Sequence, residues 1–453
     1  MFLVNIYEWK NCTIEIKKLG INGEGIGYLN KKCYFVDKAL PGEVLNAVID
    51  KEEDKYAYAH IVSFVKESPF RVKPLCPIYD KCGACSLQHL DYQKSLEYKR
   101  ELVIEALGKY SNVNPKSFEI KETIGMENPL GYQNKASVPV FFDGKKLNAG
   151  LYEANSNKMV FFDDCLVHND LINKTIKEVL KVLDKYRIKA YNPKYKNGFV
   201  RYIVCRMGVN TNEISITIVL VKNTDLSMCV KDILAIPYVK SLYSSVNSDY
   251  KSHEIFGDDI THLGGEKTIC EKLKDKTFHL LPNAFFQLNT IQTVKLYDEI
   301  KKAAKLSKKE IVLDAYCGVG TISKWVSDLA YQVIGIDNNK EAIMSANQNK
   351  EGNCKFLVGE VKNVYPKLIK DKMIPDVVLV DPPRVGLGEE FISLLLKNKP
   401  KRIVYTSCNP ATLAKDLNLL KEEYTIKYIQ PIDMFPYTAH VESVTLLERK
   451  KDR

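Results

Sequence analysis

The sequence predicts a multidomain chain: an N-terminal OB-like β-barrel, a central α+β region opened by a cysteine-rich loop, and a C-terminal α/β unit with a Rossmann-like sheet. Three observations carry that expectation. Residues 11–65 alternate apolar and polar positions between glycine-marked turns, three cysteines crowd into 76–85, and strands alternate with helices from Phe278 onward. A chain of 453 residues also has room for about three domains at roughly 150 residues each.

Each part has its own signals. In residues 1–66 the segments CTIEIKKLG, GIGYLN, KKCYFVDK and EVLNAVIDKEEDKYAYAHIVSFV read as short strands, with Gly20, Gly23, Gly25, Gly27 and Pro41-Gly42 at the turns. Such a pattern suits a small closed barrel that binds RNA. Pro69, Pro74 and Pro77 end it. Within 67–270, residues 86–110 are expected to be helical, with Leu87, Leu90, Leu96, Leu102, Val103, Ala106 and Leu107 near helical spacing. Strands follow at 135–142, 198–209 and 213–221, with a helix at 171–186 among them. In 271–453 the strands 311–316, 332–337, 355–360, 376–381 and 402–407 alternate with helices near 320–329, 340–350, 361–369 and 389–397. Two last strands are expected at 426–432 and 441–448. Alternation of this kind predicts a mostly parallel sheet with helices on both faces.

Composition narrows the function. Hydrophobic residues at 45% and charged residues at 27% exclude a disordered chain. Sixty-six Lys and Arg against 56 Asp and Glu leave a net charge of +10, which permits a polyanionic partner without requiring one. The 26 Tyr and 17 Phe offer stacking surfaces, although most aromatic side chains fill cores. Apolar runs such as 214–221 are too short to span a bilayer, and charges break up the opening MFLVNIYEWK where a signal peptide would be apolar. A cytoplasmic protein with no membrane partner is expected, and no obligate protein partner is inferred. The 12 cysteines then read as buried thiols, metal ligands or nucleophiles.

The stretch Leu313-Asp-Ala-Tyr316-Cys-Gly318-Val-Gly320 follows a strand and opens a helix. Glycines there let a nucleoside approach the backbone, and Asp337 at the next strand end can accept from ribose hydroxyls. The dinucleotide fingerprint wants a third glycine where Ser323 stands. A cofactor without phosphate, S-adenosylmethionine, suits the loop better than a nicotinamide dinucleotide. Three further patches fall at the carboxyl edge of the sheet or just before its last strand: Asp381-Pro-Pro-Arg384, Ser407-Cys408-Asn-Pro410 and His440-Val-Glu442. Asn and Pro cannot continue a ladder, so Ser407-Cys-Asn-Pro410 is a poor core sequence and Cys408 is a candidate nucleophile. Beside adenosylmethionine, a thiolate could add to carbon-6 of a uracil and make carbon-5 nucleophilic toward the sulfonium methyl. Glu442 is then a candidate base for the carbon-5 proton.

The loop Cys76-Pro-Ile-Tyr-Asp-Lys-Cys82-Gly-Ala-Cys85 brings three thiols together and wants a fourth ligand. Cys165 is the leading candidate and Cys205 a weaker one. Zinc and an iron–sulfur cluster both suit four thiolates. Cys12, Cys33, Cys205, Cys229, Cys270 and Cys354 are expected to be buried thiols, and Cys317 lines the glycine loop.

Taken in order, Phe285-Phe-Gln287-Leu-Asn289, Asp314-Ala-Tyr-Cys-Gly-Val-Gly320, Asp381-Pro-Pro-Arg384, Ser407-Cys-Asn-Pro410 and His440-Val-Glu442 resemble the motif set of the RNA uracil-5 methyltransferases. The resemblance covers the whole catalytic half and implies a class I adenosylmethionine-dependent methyltransferase domain there. It implies Cys408 as nucleophile, Glu442 as base, and Gln287, Tyr316, Gly318, Asp337 and Asp381 around the cofactor and target base; Glu360 is a further candidate near the adenine. It also assigns Cys76, Cys82, Cys85 and Cys165 to a [4Fe-4S] cluster, and residues 11–65 resemble the family's TRAM domain. Barrel and cluster together resemble the ribosomal RNA branch, so 23S rRNA with its target uridine flipped out is the expected partner. One departure is Gln133, where the family segment commonly has Arg. Methylation of tRNA by the same chemistry is the alternative, and a non-catalytic RNA-binding protein braced by a metal cluster is another. A radical adenosylmethionine enzyme fits poorly, since its Cys-x3-Cys-x2-Cys spacing is absent and Cys408 and Glu442 would be idle.

Overall fold

The structure is a computed structural model that describes residues 11–154, 156, 158–249 and 254–451. The opening segment 1–10 therefore lies outside the described residues. Five strands, β1 (Asn11–Leu19), β2 (Gly25–Leu29), β3 (Lys32–Val36), β4 (Val44–Glu52) and β5 (Tyr56–Lys66), close a barrel in the order β1-β2-β3-β5-β4. Period-2 alternation points Ile14, Ile16, Val36, Leu45, Ala57 and Ala59 inward. Gly27 is required by closure: a Cβ there would stand 2.6 Å from the Glu15 carbonyl.

After the cysteine loop comes α1 (Tyr92–Tyr110), six residues later than the helical spacing predicts. The reason is tertiary. The amides of Ser86 and Leu87 both donate to the Tyr437 carbonyl, at 3.0 and 2.9 Å, which holds them out of a helix. Asp91 then caps α1 by accepting from Lys94 N at 3.0 Å. The two-residue β6 (Glu119–Ile120) follows.

The central region is a seven-stranded sheet. Its strands are β7 (Lys135–Phe142), β8 (Leu147–Tyr152), β9 (Met159–Phe161), β10 (Val200–Met207), β11 (Ile214–Leu220), β12 (Val239–Val246) and β13 (Asp259–Gly265), ordered β13-β12-β11-β10-β7-β8-β9. Helices α2 (Asp170–Lys185) and α3 (Ser227–Leu234) pack against it through Ile172, Val179, Leu183 and Ile233. A hairpin, β14 (Ile269–Leu273) and β15 (Lys276–Leu280), leads out of this region.

The C-terminal unit runs α4 (Thr290–Ala304), β16 (Ile311–Ala315), α5 (Thr321–Val326), β17 (Gln332–Asp337), α6 (Lys340–Asn349), β18 (Cys354–Val358), α7 (Val361–Lys370), β19 (Val377–Val380), α8 (Glu389–Asn398), β20 (Arg402–Ser407), α9 (Pro410–Leu420), β21 (Tyr424–Ile432) and β22 (Glu442–Arg449). Its eight-stranded sheet has the order β18-β17-β16-β19-β20-β22-β21-β6. Strands β16 to β20 are parallel and nearly all apolar, because both faces are covered. One face packs α4, α5 and α6; the other packs α7, α8, α9 and α1. Thus α1 and β6 join the C-terminal unit although they precede the central sheet in sequence, and β6 pairs parallel to β21. The barrel's Leu19 and Leu40 enter the same core through Leu87, Leu90, Tyr98 and Leu102. Among the described residues no helix is long and apolar enough to cross a membrane.

Candidate active site

Register brings the motif residues together. Ala315 pairs with Ile336 and with Val380, so Tyr316, Asp337 and Asp381 are the next residues outward on three neighbouring strand ends. Ser407 pairs with Ser443, and the next step outward sets Cys408 beside Glu442. All five stand at the carboxyl edge of the sheet, where an open α/β fold binds its ligand.

The glycine loop is held in an unusual backbone. Tyr316, Gly318 and Gly320 all have positive φ, at 66°, 53° and 79°. For Tyr316 that conformation costs about 1–2 kcal/mol, and it turns the ring edge-on to Phe391 with its hydroxyl donating to the Leu387 carbonyl at 3.3 Å. At Gly320 a Cβ would lie 2.6 Å from the Phe356 ring. Asp337 Oδ2 accepts from Gly318 N at 2.9 Å and Oδ1 from Asn339 N at 2.8 Å, so the carboxylate both shapes the loop and keeps lone pairs for a ligand. Tyr316, Asp337, Glu360, Val361, Pro383 and Phe391 line a cavity of about 620 Å³. It has a carboxylate for ribose and apolar walls for a nucleoside base, which fits adenosylmethionine. Glu360 ends no strand; it immediately precedes α7.

Deeper, three carboxyl groups crowd together. Burial pushes Asp381 up to about 7. It pushes Asp314 up to about 7 as well, although Ser323 Oγ donates to its Oδ2 at 2.5 Å. Burial, with the Asp381 charge second, pushes Glu442 up to about 8. Ser323, the residue that breaks the dinucleotide pattern, therefore serves Asp314. The sequence reading quoted Asp314 only as part of its loop; its burial and one unpartnered oxygen become visible in three dimensions.

Cys408 is half-buried. Burial and then the Glu442 and Asp381 charges raise its thiol, while the Arg384 guanidinium lowers it. Asn409 fixes the turn: Oδ1 accepts from Ala411 N at 3.1 Å, capping α9, and Nδ2 donates to the Arg384 carbonyl at 3.1 Å. Pro410 begins α9, the one position where it costs no hydrogen bond. Leu102, Arg384, Cys408 and His440, with Ile21 and Asn22 from the barrel, line a second space of about 110 Å³. Arg384, Asn409 and His440 stand within the sequence motifs with no role that the sequence assigns; the barrel residues beside Cys408 carry no sequence signal at all. Gln287 is buried in the loop before α4 but is not among the residues lining the larger cavity. Its carbonyl accepts from Asn134 Nδ2 at 2.8 Å, and Asn289 caps α4 by accepting from Gln292 N at 3.1 Å.

The cysteine loop runs against the edge of the central sheet, where Cys82 pairs with Glu153. Gly83 N donates to the Tyr152 carbonyl at 3.3 Å, and a Cβ on Gly83 would stand 2.9 Å from the Ala154 backbone. Cys82 and Cys76 both raise Cys85 and Cys165 electrostatically, behind the dominant effect of burial, and Cys165 also raises Cys85. The amides of Val167 and His168 face the Cys165 sulfur and pull the other way, as does Gln88 at Cys85. All four thiols are half-buried, and amide donors face the sulfurs of Cys82, Cys85 and Cys165. Among the described residues no group of three or more His, Cys, Asp or Glu side chains is arranged to hold a metal ion, so the cluster expected from the sequence is not shown by this arrangement. Cys205 lies in the core of the central sheet, which removes it as the fourth ligand. Cys229 and Cys354 are buried as expected, whereas Cys12, Cys33 and Cys270 are only half-buried.

Fold and site together define an adenosylmethionine-dependent RNA methyltransferase with a barrel at its N-terminus. The family model for tRNA (Uracil-5-)-methyltransferase matches residues 367–450, that for the TRAM domain matches 7–62, and that for tellurite resistance protein TehB matches 278–398, the segment with the glycine loop. An uncharacterized RNA methyltransferase of Halalkalibacterium halodurans is 43% identical over 442 residues, covering 96% of this chain and 95% of that one. One from Bacillus cereus is 42% identical over 444 residues, covering 96% of each. The solved structure of Pyrococcus abyssi tRNA (uracil-54, C5)-methyltransferase with S-adenosyl-L-homocysteine superposes with a TM-score of 0.77 at 30% identity, covering 96% of this chain and all of that one. The chain belongs to the RNA uracil-5 methyltransferase family.

Proposed function

We propose that this methyltransferase modifies carbon-5 of a uridine in 23S rRNA through a covalent bond from Cys408 to carbon-6. The observation that carries the reading is the β20–β22 register, which supports Cys408 and Glu442 as a pair beside Asp381 at the edge of the cofactor cavity. Cys408 Sγ bonds to carbon-6 as the ring's 5,6 double bond shifts its electrons toward the carbonyl oxygen at carbon-4. Bound adenosylmethionine supplies an electrophilic methyl to carbon-5. Glu442 then takes the carbon-5 proton, the double bond re-forms, and the Cys408 thiolate leaves. Tyr316, Gly318, Asp337 and Asp381 hold the cofactor side, with Gln287 in the buried loop before α4 behind them. Glu360 contributes to the adenine end.

The acidic setting disfavours a thiolate in the free protein, and Arg384 is the nearby group that favours it. A positively charged sulfonium in the cavity acts in the same direction on both Cys408 and Glu442. Cofactor binding therefore prepares nucleophile and base together.

Cys76, Cys82, Cys85 and Cys165 hold a [4Fe-4S] cluster in this reading. It braces the fold, because the loop it would close donates two backbone hydrogen bonds to Tyr437, five residues before Glu442. Protein purified without oxygen should be brown with about four irons per chain. Stoichiometric zinc instead would overturn the cluster and leave the methyl transfer standing. The enzyme works in the cytoplasm, on RNA.

Transfer RNA is a second reading, favoured by the Pyrococcus enzyme, which matches along nearly the whole chain including the barrel. Mass-spectrometric mapping of 5-methyluridine in ribosomal and transfer RNA, with and without this gene, separates the two. For the chemistry, Cys408→Ser should abolish methylation while RNA and cofactor binding persist. RNA carrying 5-fluorouridine should form a stable adduct through Cys408, since fluorine cannot leave as a proton. Wild-type protein that methylates RNA but yields no adduct would refute the covalent scheme.

A further inference from the structure

The space beside Cys408 is not enclosed by the C-terminal unit alone. Ile21 and Asn22, in the turn between β1 and β2 of the barrel, line it together with Cys408 and His440. Both residues are exposed, and Ile21 keeps 51% of its surface accessible, an apolar side chain presented rather than buried. The turn carrying them is rigid. Gly20 N donates to the Glu24 carbonyl at 2.6 Å, Gly23 N to the Gly20 carbonyl at 3.0 Å, and Asn22 N to Glu24 Oε2 at 3.0 Å.

It is also anchored from outside. Tyr98 of α1 donates its hydroxyl to the Gly20 carbonyl at 2.6 Å. Gly23, at φ +94°, sits so close to the cysteine loop that a Cβ would stand 3.2 Å from Ser86 and Leu87. Ser86 Oγ in turn accepts from Ala439 N at 3.1 Å, next to His440. Barrel turn, cysteine loop and the loop leading to Glu442 thus form one bracket around the same opening.

A larger groove of about 980 Å³ shares Ile21, Asn22, Leu102 and Pro410 with this space and runs along the barrel past Phe35 and Tyr58. Those rings stack on one another with centroids 5.5 Å apart. The groove and the Cys408 space share these four lining residues, so a strand lying in the groove passes beside Cys408. A space of about 110 Å³ has room for one ring and not for a base pair.

We propose that the β1–β2 turn of the barrel, through Ile21 and Asn22, is a wall of the target-nucleotide pocket and positions the flipped pyrimidine against Cys408. The proposal rests on the uridine-methylation reading above. On this view the barrel does more than tether RNA: it sets the geometry of attack. Ile21 covers one face of the extruded nucleotide with apolar surface, and Asn22 offers an amide to its polar edge. Both are positioning residues.

The test uses the full-length protein and 5-fluorouridine RNA, with saturating adenosylmethionine. Asn22→Ala should slow single-turnover adduct formation about tenfold, because small misplacements of reacting atoms cost rate steeply. Ile21→Trp, which fills the space, should abolish the adduct. In both, the KM for RNA should stay within about twofold, and homocysteine-cofactor binding and the melting temperature should match wild type. Tyr28→Ala, on the exposed outer face of the barrel, is the control for simple tethering and should change KM without changing the single-turnover rate. If Ile21→Trp and Asn22→Ala form adduct at the wild-type rate, or change KM alone as Tyr28→Ala does, the turn is a tether and the proposal fails. If wild-type protein itself forms no adduct, it is the covalent chemistry that fails.

Discussion

Glu442 and Cys408 meet opposite demands in the free protein and during turnover. Burial holds Glu442 protonated up to about 8 and keeps the Cys408 thiol above its ordinary value, yet the proposed reaction needs both deprotonated. The sign follows directly. Each group passes into its working form as pH rises, so kcat/KM for RNA should climb steadily between pH 7 and 9. Initial rates at low RNA across that interval test it, and a flat profile would mean that neither group limits the reaction. Single residues also show where a sequence stops being readable. Cys408 was legible because Asn and Pro make its neighbourhood unfit for a core. Asp314 was not, since its burial and its bond from Ser323 depend on what α5 lays over it.

At the scale of elements, α1 decides how the parts are joined. Lys99 on this helix is fully buried and ion-paired to Asp433, in the segment that leads to Glu442. Lys99 Nζ also donates to the Phe435 carbonyl at 3.1 Å, and Tyr92 donates to Asp433 Oδ2 at 2.8 Å. Lys99→Ala would leave a buried carboxylate unpaired and should cost about 3–5 kcal/mol in urea unfolding. Lys99→Met with Asp433→Leu should recover most of that loss, and failure to do so would show that the pair has a role beyond charge compensation. The helical spacing of 86–110 was visible in the sequence, but the true start at Tyr92 was not. Ser86 and Leu87 have helix-compatible positions and leave the helix only because a carbonyl 350 residues away takes their amides. Likewise β6 is two residues long, too short for any period, and exists because β21 presents an edge.

For the whole molecule, the consequence is one continuous core from barrel to sheet. Leu40 belongs to the barrel, yet it is fully buried in the cluster that includes α1 and the C-terminal strands. Leu40→Ala should cost about 2–5 kcal/mol, and hydrogen exchange should show the barrel and α1 losing protection together. Loss confined to the barrel would mean that it folds as a separate bead. The +10 charge and the aromatic barrel face suit an RNA partner because this core holds the barrel groove next to the space lined by Cys408.

By itself the sequence determined the parts and pointed to the proposed chemistry: alternating patterns that make barrel and sheet, the glycine loop, the ordered motifs around Cys408 and Glu442, and the three cysteines crowded into 76–85. These are local properties, set by periodicity, backbone permissiveness and side-chain reactivity over a few neighbouring residues. Tertiary structure decided what depends on distance across the chain. It paired Cys408 with Glu442 through strand register, set Cys205 apart from the other candidate thiols by burying it in the core of the central sheet, and carried α1 and β6 into the C-terminal unit. It also brought Ile21 and Asn22 to a residue nearly 400 positions away. No residue type announces such a contact, because packing alone selects which surfaces meet.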